Sequence, residues 1–111
     1  MLKIVINDRK YNKEDKSTKR SIDKGIVRLK ARLSEYLSRN IRIENIFNDD
    51  ILIHDIINKQ FYVYKCQVDK FQLRILYKVD DGELVIISHY FKKSPSKEYI
   101  RYFEKVAFEY A

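Results

Sequence analysis

Apolar positions along this chain change period near the middle. Residues 2–6, LKIVI, form a short β-branched run that predicts a strand. The polar stretch NDRKYNKEDK then predicts a loop, and Ser17 or Thr18 suits the N-cap of a following helix. From there to about Asn40, Ile22, Ile26, Leu29, Leu33, Tyr36 and Leu37 trace one stripe at helical spacing. Lys24, Arg28, Lys30, Arg32 and Arg39 occupy the other faces, so the helix is long, amphipathic and basic outside. Residues 41–48, IRIENIFN, repeat an apolar spacing that predicts a second, short helix.

Beyond residue 60 the period becomes two. FYVYKCQV, FQLRILYKV and ELVIISHYF are each rich in Val, Ile, Tyr and Phe. Asp69-Lys70 separates the first two runs, and Asp80-Asp81-Gly82 separates the last two as a hairpin signal. Leu73, Ile75, Tyr77 and Val79 share one face of the middle strand, with Arg74, Leu76 and Lys78 on the other. The expectation is a three-stranded antiparallel meander, with residues 51–57 as an extended lead-in. Ser94-Pro95 reads as an N-cap followed by proline at the first helical position. Ile100, Phe103, Ala107 and Tyr110 then set the apolar stripe of a final helix. The pattern gives one α+β domain over residues 1–111: strand, long helix, short helix, meander, helix. Neither an internal repeat nor a low-complexity segment interrupts it.

Composition adds a core but not a staple. Apolar residues make up 45% of 111, enough for one globular domain. Cys66 is the single cysteine, which excludes an internal disulfide and a cysteine-based zinc site. His54 and His89 are the only other soft ligands, so neither a metal nor another cofactor is expected. The opening apolar run is too short for a signal peptide, and no stretch approaches the ~20 residues of a membrane span. A cytoplasmic protein with no membrane partner is the resulting expectation.

Charge changes the picture more. Residues 1–42 hold 13 Lys/Arg against 5 Asp/Glu, a net of +8, while the remainder holds 10 against 11. Such asymmetry points to a basic face that meets phosphates or an acidic protein, RNA being the favoured polyanion. The plain alternative is a helix kept soluble by its lysines.

Enzyme signatures are mostly missing. The chain has no glycine-rich phosphate loop, no GxSxG turn and no HExxH. Its carboxylates lack the spacing of a metal-dependent nuclease, and Asp49-Asp50 and Asp80-Asp81 read as turn residues. What remains is a set of cations and rings on the meander: Tyr64 and Lys65, Arg74, then His89, Tyr90, Lys92 and Lys93. Gathered on one surface beside the basic helix, these would let RNA be cleaved without a metal. The ribose 2′-hydroxyl attacks the adjacent phosphate, Arg or Lys stabilises the pentacoordinate phosphorus, and His, Tyr or Lys moves protons. Alternation puts Tyr64 and Lys65 on opposite faces, and likewise His89 and Tyr90, so one site does not take all of them. Each residue has a structural reading too. Arg74 serves as a structural or salt-bridged residue, His89 as a packed sheet histidine, His54 as an ordinary loop or strand residue, Lys92-Lys93 as a strand end and Cys66 as a small core residue.

The second half, from Phe61 to Ala107, resembles the RelE/HigB-type toxins of toxin–antitoxin systems, within the RelE/ParE superfamily. The shared pattern is Arg74-Ile75-Leu76-Tyr77 opening an apolar strand, an acidic/glycine turn, and a strand closing in Phe91-Lys92-Lys93. A terminal helix carrying Glu98 and Ala107 follows Ser94-Pro95. Where the family presents a glutamate-leucine-arginine pattern on the preceding strand, this chain has Tyr64-Lys65-Cys66, and its first 50 residues match only in element order.

The resemblance implies a compact, microbial-RNase-like α+β fold. It also implies a ribosome-dependent, metal-independent mRNA endoribonuclease neutralised by an acidic antitoxin. Carried over by position, Arg74 contacts the scissile phosphate, and Lys92 and Lys93 form the basic strand end. His89 and Tyr90 are the further catalytic candidates. Lys65 and Tyr64, with Lys24, Arg28 and Arg32 on the long helix, are the RNA-binding candidates. Two other functions stand beside this one: a gyrase-inhibiting toxin of the ParE branch, and a non-catalytic nucleic-acid or partner-binding module on the same fold.

Overall fold

The computed structural model of the chain describes residues 2–46 and 48–110. Its order is β1 (Lys3–Ile6), α1 (Lys16–Ser38), β2 (Asp55–Ile57), β3 (Phe61–Val68), β4 (Phe71–Asp80), β5 (Glu83–Lys92) and α2 (Glu98–Tyr110). The α+β expectation, the long helix and the meander are all present. Single 3-10 turns sit at Tyr11–Lys13 and Ile43–Asn45.

Several boundaries differ from the expectation. The cap of α1 is Asp15, whose carboxylate accepts the Thr18 backbone N–H at 2.7 Å, so Ser17 and Thr18 fall inside the first turn. The second short helix is reduced to the 3-10 turn at 43–45, and Phe47 of that segment lies outside the described residues. Asn40, left-handed at φ 60°, ends the preceding chain direction, and one tight turn already sinks Ile43 and Ile46 into the core. Of the lead-in at 51–57 only the last three residues are strand. Finally, α2 starts at Glu98 rather than beside Pro95. The Ser94 hydroxyl is paired with that of Ser96 at 2.8 Å in a bend instead of capping a helix.

The five strands form one sheet in the order β1-β5-β4-β3-β2, antiparallel throughout except that β1 runs parallel to β5. The β4–β5 hairpin closes through Asp81 and Gly82, both at positive φ (48° and 78°), as its two-residue turn requires. Helix α1 covers one face, where Ile22, Ile26, Leu29 and Leu33 pack on Tyr64, Leu73, Ile75, Tyr77, Leu84 and Ile86. Helix α2 covers part of the other, where Tyr99, Phe103 and Ala107 pack on Ile57, Phe61, Val63, Leu76, Val85 and Ile87. Central strands buried on both faces explain why their apolar runs are nearly continuous.

One irregularity decides the rest. In the β4–β5 ladder Leu76 pairs with Ser88 but Tyr77 pairs with Ile86, leaving Ile87 as an extra residue. Such a bulge inverts the alternation of everything beyond it. Leu84 and Ile86 face α1 before the bulge; His89 and Phe91 face α1 after it, and Tyr90 and Lys92 are turned to the α2 side.

Candidate functional site

Two rows of side chains lie on the α2 side of the sheet, near the start of that helix. Ladder pairing sets Lys65, Arg74 and Tyr90 side by side, and Gln67, Gln72 and Lys92 in the next row. Arg74 is the centre. It is 6% exposed, its guanidinium lies 5.5 Å from the centroid of the Tyr99 ring, and Nη1 donates to the Leu73 carbonyl at 3.3 Å. Its Nε is buried with no hydrogen-bond partner, and among the described residues no carboxylate comes within 4 Å of the guanidinium. A buried cation without a counter-charge is costly, so this group is held in a state that an anion would relieve.

Lys92 approaches the same ring, its ammonium 5.7 Å from the centroid. Two cations thus share one aromatic quadrupole. The Tyr99 hydroxyl donates to Asp55 at 2.6 Å. Burial and then this bond to Asp55 push the Tyr99 phenol up to about 12, with Arg74 pulling the other way. The phenol therefore stays protonated at neutral pH and fixes the ring beneath the cations.

Around Asp55 the polar groups continue. His54 places Nε2 3.9 Å from Asp55 and Nδ1 3.6 Å from Asp50, too far for hydrogen bonds, and Nδ1 is buried without a partner. Asp50 in turn lies 3.7 Å from the Lys65 ammonium. The sequence had singled out Lys65, Arg74, Tyr90 and Lys92, and the sheet brings these four together. It had not singled out Tyr99 and Asp55, and it had read His54 as an ordinary loop or strand residue and Asp50 as a turn residue. The one available signal was Tyr99-Phe103-Ala107 at helical spacing, a stripe one residue off the expected Ile100.

The other candidates are elsewhere, so the expected convergence beside the basic helix does not occur. His89 faces the α1 side, 5% exposed, with Nδ1 hydrogen-bonded to the Asp8 carboxylate and Nε2 3.6 Å from Glu14. Tyr64 is 4% exposed in the core beneath α1, its face closed to a stacking base, and burial pushes its phenol up. Lys93 follows the end of β5 and is exposed. The three cations on α1 bond to the protein itself. Lys24 meets Asp69 at 3.0 Å, Arg28 donates to the Gln67 carbonyl at 2.7 Å, and Arg32 donates from Nε to Asp49 at 2.7 Å. The sheet separates them from Arg74. Cys66 is half-buried against the α1 core, and burial raises its thiol.

Among the described residues no helix is long and apolar enough to cross a membrane, and no group of three or more His, Cys, Asp or Glu is set to hold a metal ion. No family model, curated protein or solved structure matches this chain.

Proposed function

We propose that the face centred on Arg74 binds an RNA strand and cleaves it by internal transesterification, in the manner of a RelE/HigB-like toxin. The observation that carries this reading is the buried Arg74 Nε, unpartnered and without a counter-ion, beside Lys92 over the Tyr99 ring. A phosphodiester seated on this face receives the Lys92 ammonium as a charge-assisted donor and lies over the uncompensated charge of Arg74.

In the reaction, the ribose 2′-oxygen forms a bond to phosphorus as its proton passes to solvent water. The bond from phosphorus to the 5′-oxygen breaks, and that oxygen takes up a proton. The products are a 2′,3′-cyclic phosphate and a free 5′-hydroxyl, with no co-reactant. Tyr90 and Lys65, the ladder neighbours of Arg74, carry the exchangeable protons that flank this position. The substrate on this reading is mRNA on the ribosome, and the partner that silences the face is an acidic antitoxin.

The test is induction in growing cells with mapping of transcript ends, wild type against Arg74→Met, which removes the charge at similar volume. Growth arrest and new 5′ ends are expected for the wild type, with cleavage reduced about 100-fold or more in a variant shown by circular dichroism to be folded. Undiminished cleavage by folded Arg74→Met, or arrest with intact transcripts, would overturn the reading.

A further inference from the structure

A second cationic hollow lies on the same side of the sheet, between the loop after β1 and the outer part of α2. It is a cleft of about 350 Å³. Arg9, Lys10, Lys13 and Lys105 line it, and among the described residues none of the four is within 4 Å of a carboxylate oxygen. Two acidic residues also line it. Asp8 is committed to His89, which leaves Glu109 as the one carboxylate opposing four cations. Like charges left facing one another without counter-ions repel, and an anionic occupant removes that repulsion.

The cleft also has an aromatic wall. Tyr102 and Tyr110 line it, and the Lys10 ammonium stands 4.4 Å from the Tyr102 ring centroid. Tyr102 continues into a neighbouring hollow lined by Tyr90, Lys97, Arg101 and Lys105. The Tyr90 and Tyr102 rings are 5.8 Å apart, and Tyr90 is the ladder partner of Arg74. One surface thus runs from Arg74, over the adjacent rings of Tyr90 and Tyr102, to Lys10 and Lys105, with Glu98 also lining the second hollow. A ligand of matching chemistry alternates phosphates with flat bases.

We infer that this cleft is a binding subsite for single-stranded RNA, holding nucleotides that flank the phosphate at Arg74. Lys10 and Lys105 take a phosphate, and the Tyr102 ring takes a base in place of the Lys10 ammonium. The choice of RNA rests on the reading given under Proposed function; the anion-and-ring chemistry of the cleft does not.

The experiment is fluorescence anisotropy with a labelled, 2′-O-methylated hexanucleotide, which binds but lacks the attacking hydroxyl. Lys10→Gln/Lys105→Gln is expected to weaken binding at least tenfold. It should also make the slope of log K against log salt shallower by about 0.7, the value for one phosphate contact on a single strand. Tyr102→Phe should bind like the wild type and Tyr102→Ala about tenfold less tightly. Arg20→Gln/Arg39→Gln removes the same charge from α1 and its C-cap, across the sheet, and should change affinity less than twofold. Wild-type affinity in Lys10→Gln/Lys105→Gln, or an equal loss in the α1 variant, would overturn the subsite. Cleavage assays with unmodified RNA keep the two readings apart. Binding that depends on Lys10 and Lys105 without cleavage supports the subsite and removes the catalytic reading. Cleavage at subsaturating RNA that is unchanged in Lys10→Gln/Lys105→Gln removes the subsite and leaves Arg74 standing.

Discussion

Arg74 and Tyr90 stand opposite one another in the β4–β5 ladder, and the extra residue at Ile87 is what puts them there. Unbroken alternation from Leu84 would turn Tyr90 toward α1 and His89 toward α2. The bulge exchanges the two. Tyr90 and Lys92 join Arg74, and His89 is delivered to Asp8 on the far side.

That exchange makes His89–Asp8 a structural pair. Both side chains are almost fully buried, and Asp8 also accepts the Lys10 backbone N–H at 3.0 Å. Asp8→Ala strands His89 and should cost about 3 kcal/mol, read as a lower urea midpoint.

Tyr99→Phe deletes the bond to Asp55 but keeps the ring under Arg74 and Lys92. A hydrogen bond to a charged acceptor contributes about 1.5–3 kcal/mol, so a loss of about 2 kcal/mol is expected in denaturant melts. In an ultraviolet titration the wild type should show two tyrosines, Tyr11 and Tyr99, ionising only near pH 12, and the amplitude of that step should fall by about half in the variant.

Asp49 anchors α1 to the segment before β2. Burial raises its carboxyl, but hydrogen bonds from Arg32, the Leu52 backbone N–H and Tyr36 outweigh this and hold it below the usual carboxylate range. A carboxyl depressed in the native state stabilises it above the unfolded value of about 3.9, and the contribution is lost as pH falls through the native value. Wild-type stability should therefore drop as pH is lowered below about 4, and Asp49→Asn should drop less over that window. At neutral pH Asp49→Asn should cost about 2 kcal/mol.

Gly25 faces the sheet from the middle of α1. A Cβ there would lie 2.7 Å from Leu73 Cδ2 and 3.3 Å from both Cys66 Sγ and Ile75 Cδ1. Leu73 and Ile75 are fully buried, so the Leu73 methyl would have to shift within the core. Overpacking costs about 1–3 kcal/mol, against roughly 1 kcal/mol gained in helix propensity. Gly25→Ala should thus be destabilising by about 1 kcal/mol, the reverse of the usual result in a helix interior.

The sequence showed what local periodicity governs. Ile22 to Leu33 marked the buried stripe of α1, and Asp81-Gly82 marked the hairpin. The alternation in β4 set Arg74 apart from Leu73 and Ile75. It showed β2 only as part of an extended lead-in over 51–57, because three residues are too few to carry a period, and it did not show the bend that pairs Ser94 with Ser96. The site was half legible for the same reason. Lys65, Arg74 and Lys92 stand out as cations within apolar strands. Tyr99, Asp55 and His54 come from two other elements and meet only once the sheet and α2 pack. The bulge was hidden because Ile86-Ile87-Ser88 reads as uninterrupted strand, and its effect is to reverse which of His89 and Tyr90 joins the arginine.

The parallel pairing of β1 with β5 ties together two strands some 80 residues apart in the chain, Lys3 lying opposite Glu83. On a ribosome, residues 3–6 have no partner until residues 83–86 have been synthesised and have emerged, while the β3–β4 hairpin closes between near neighbours. The loop carrying Asp8, Lys10 and Lys13 is carried in with β1, so the cleft beside α2 is among the last features to take shape. A growing chain thus displays Arg74 before it displays the surface that would hold a strand against it, and truncation anywhere ahead of β5 leaves that surface unmade.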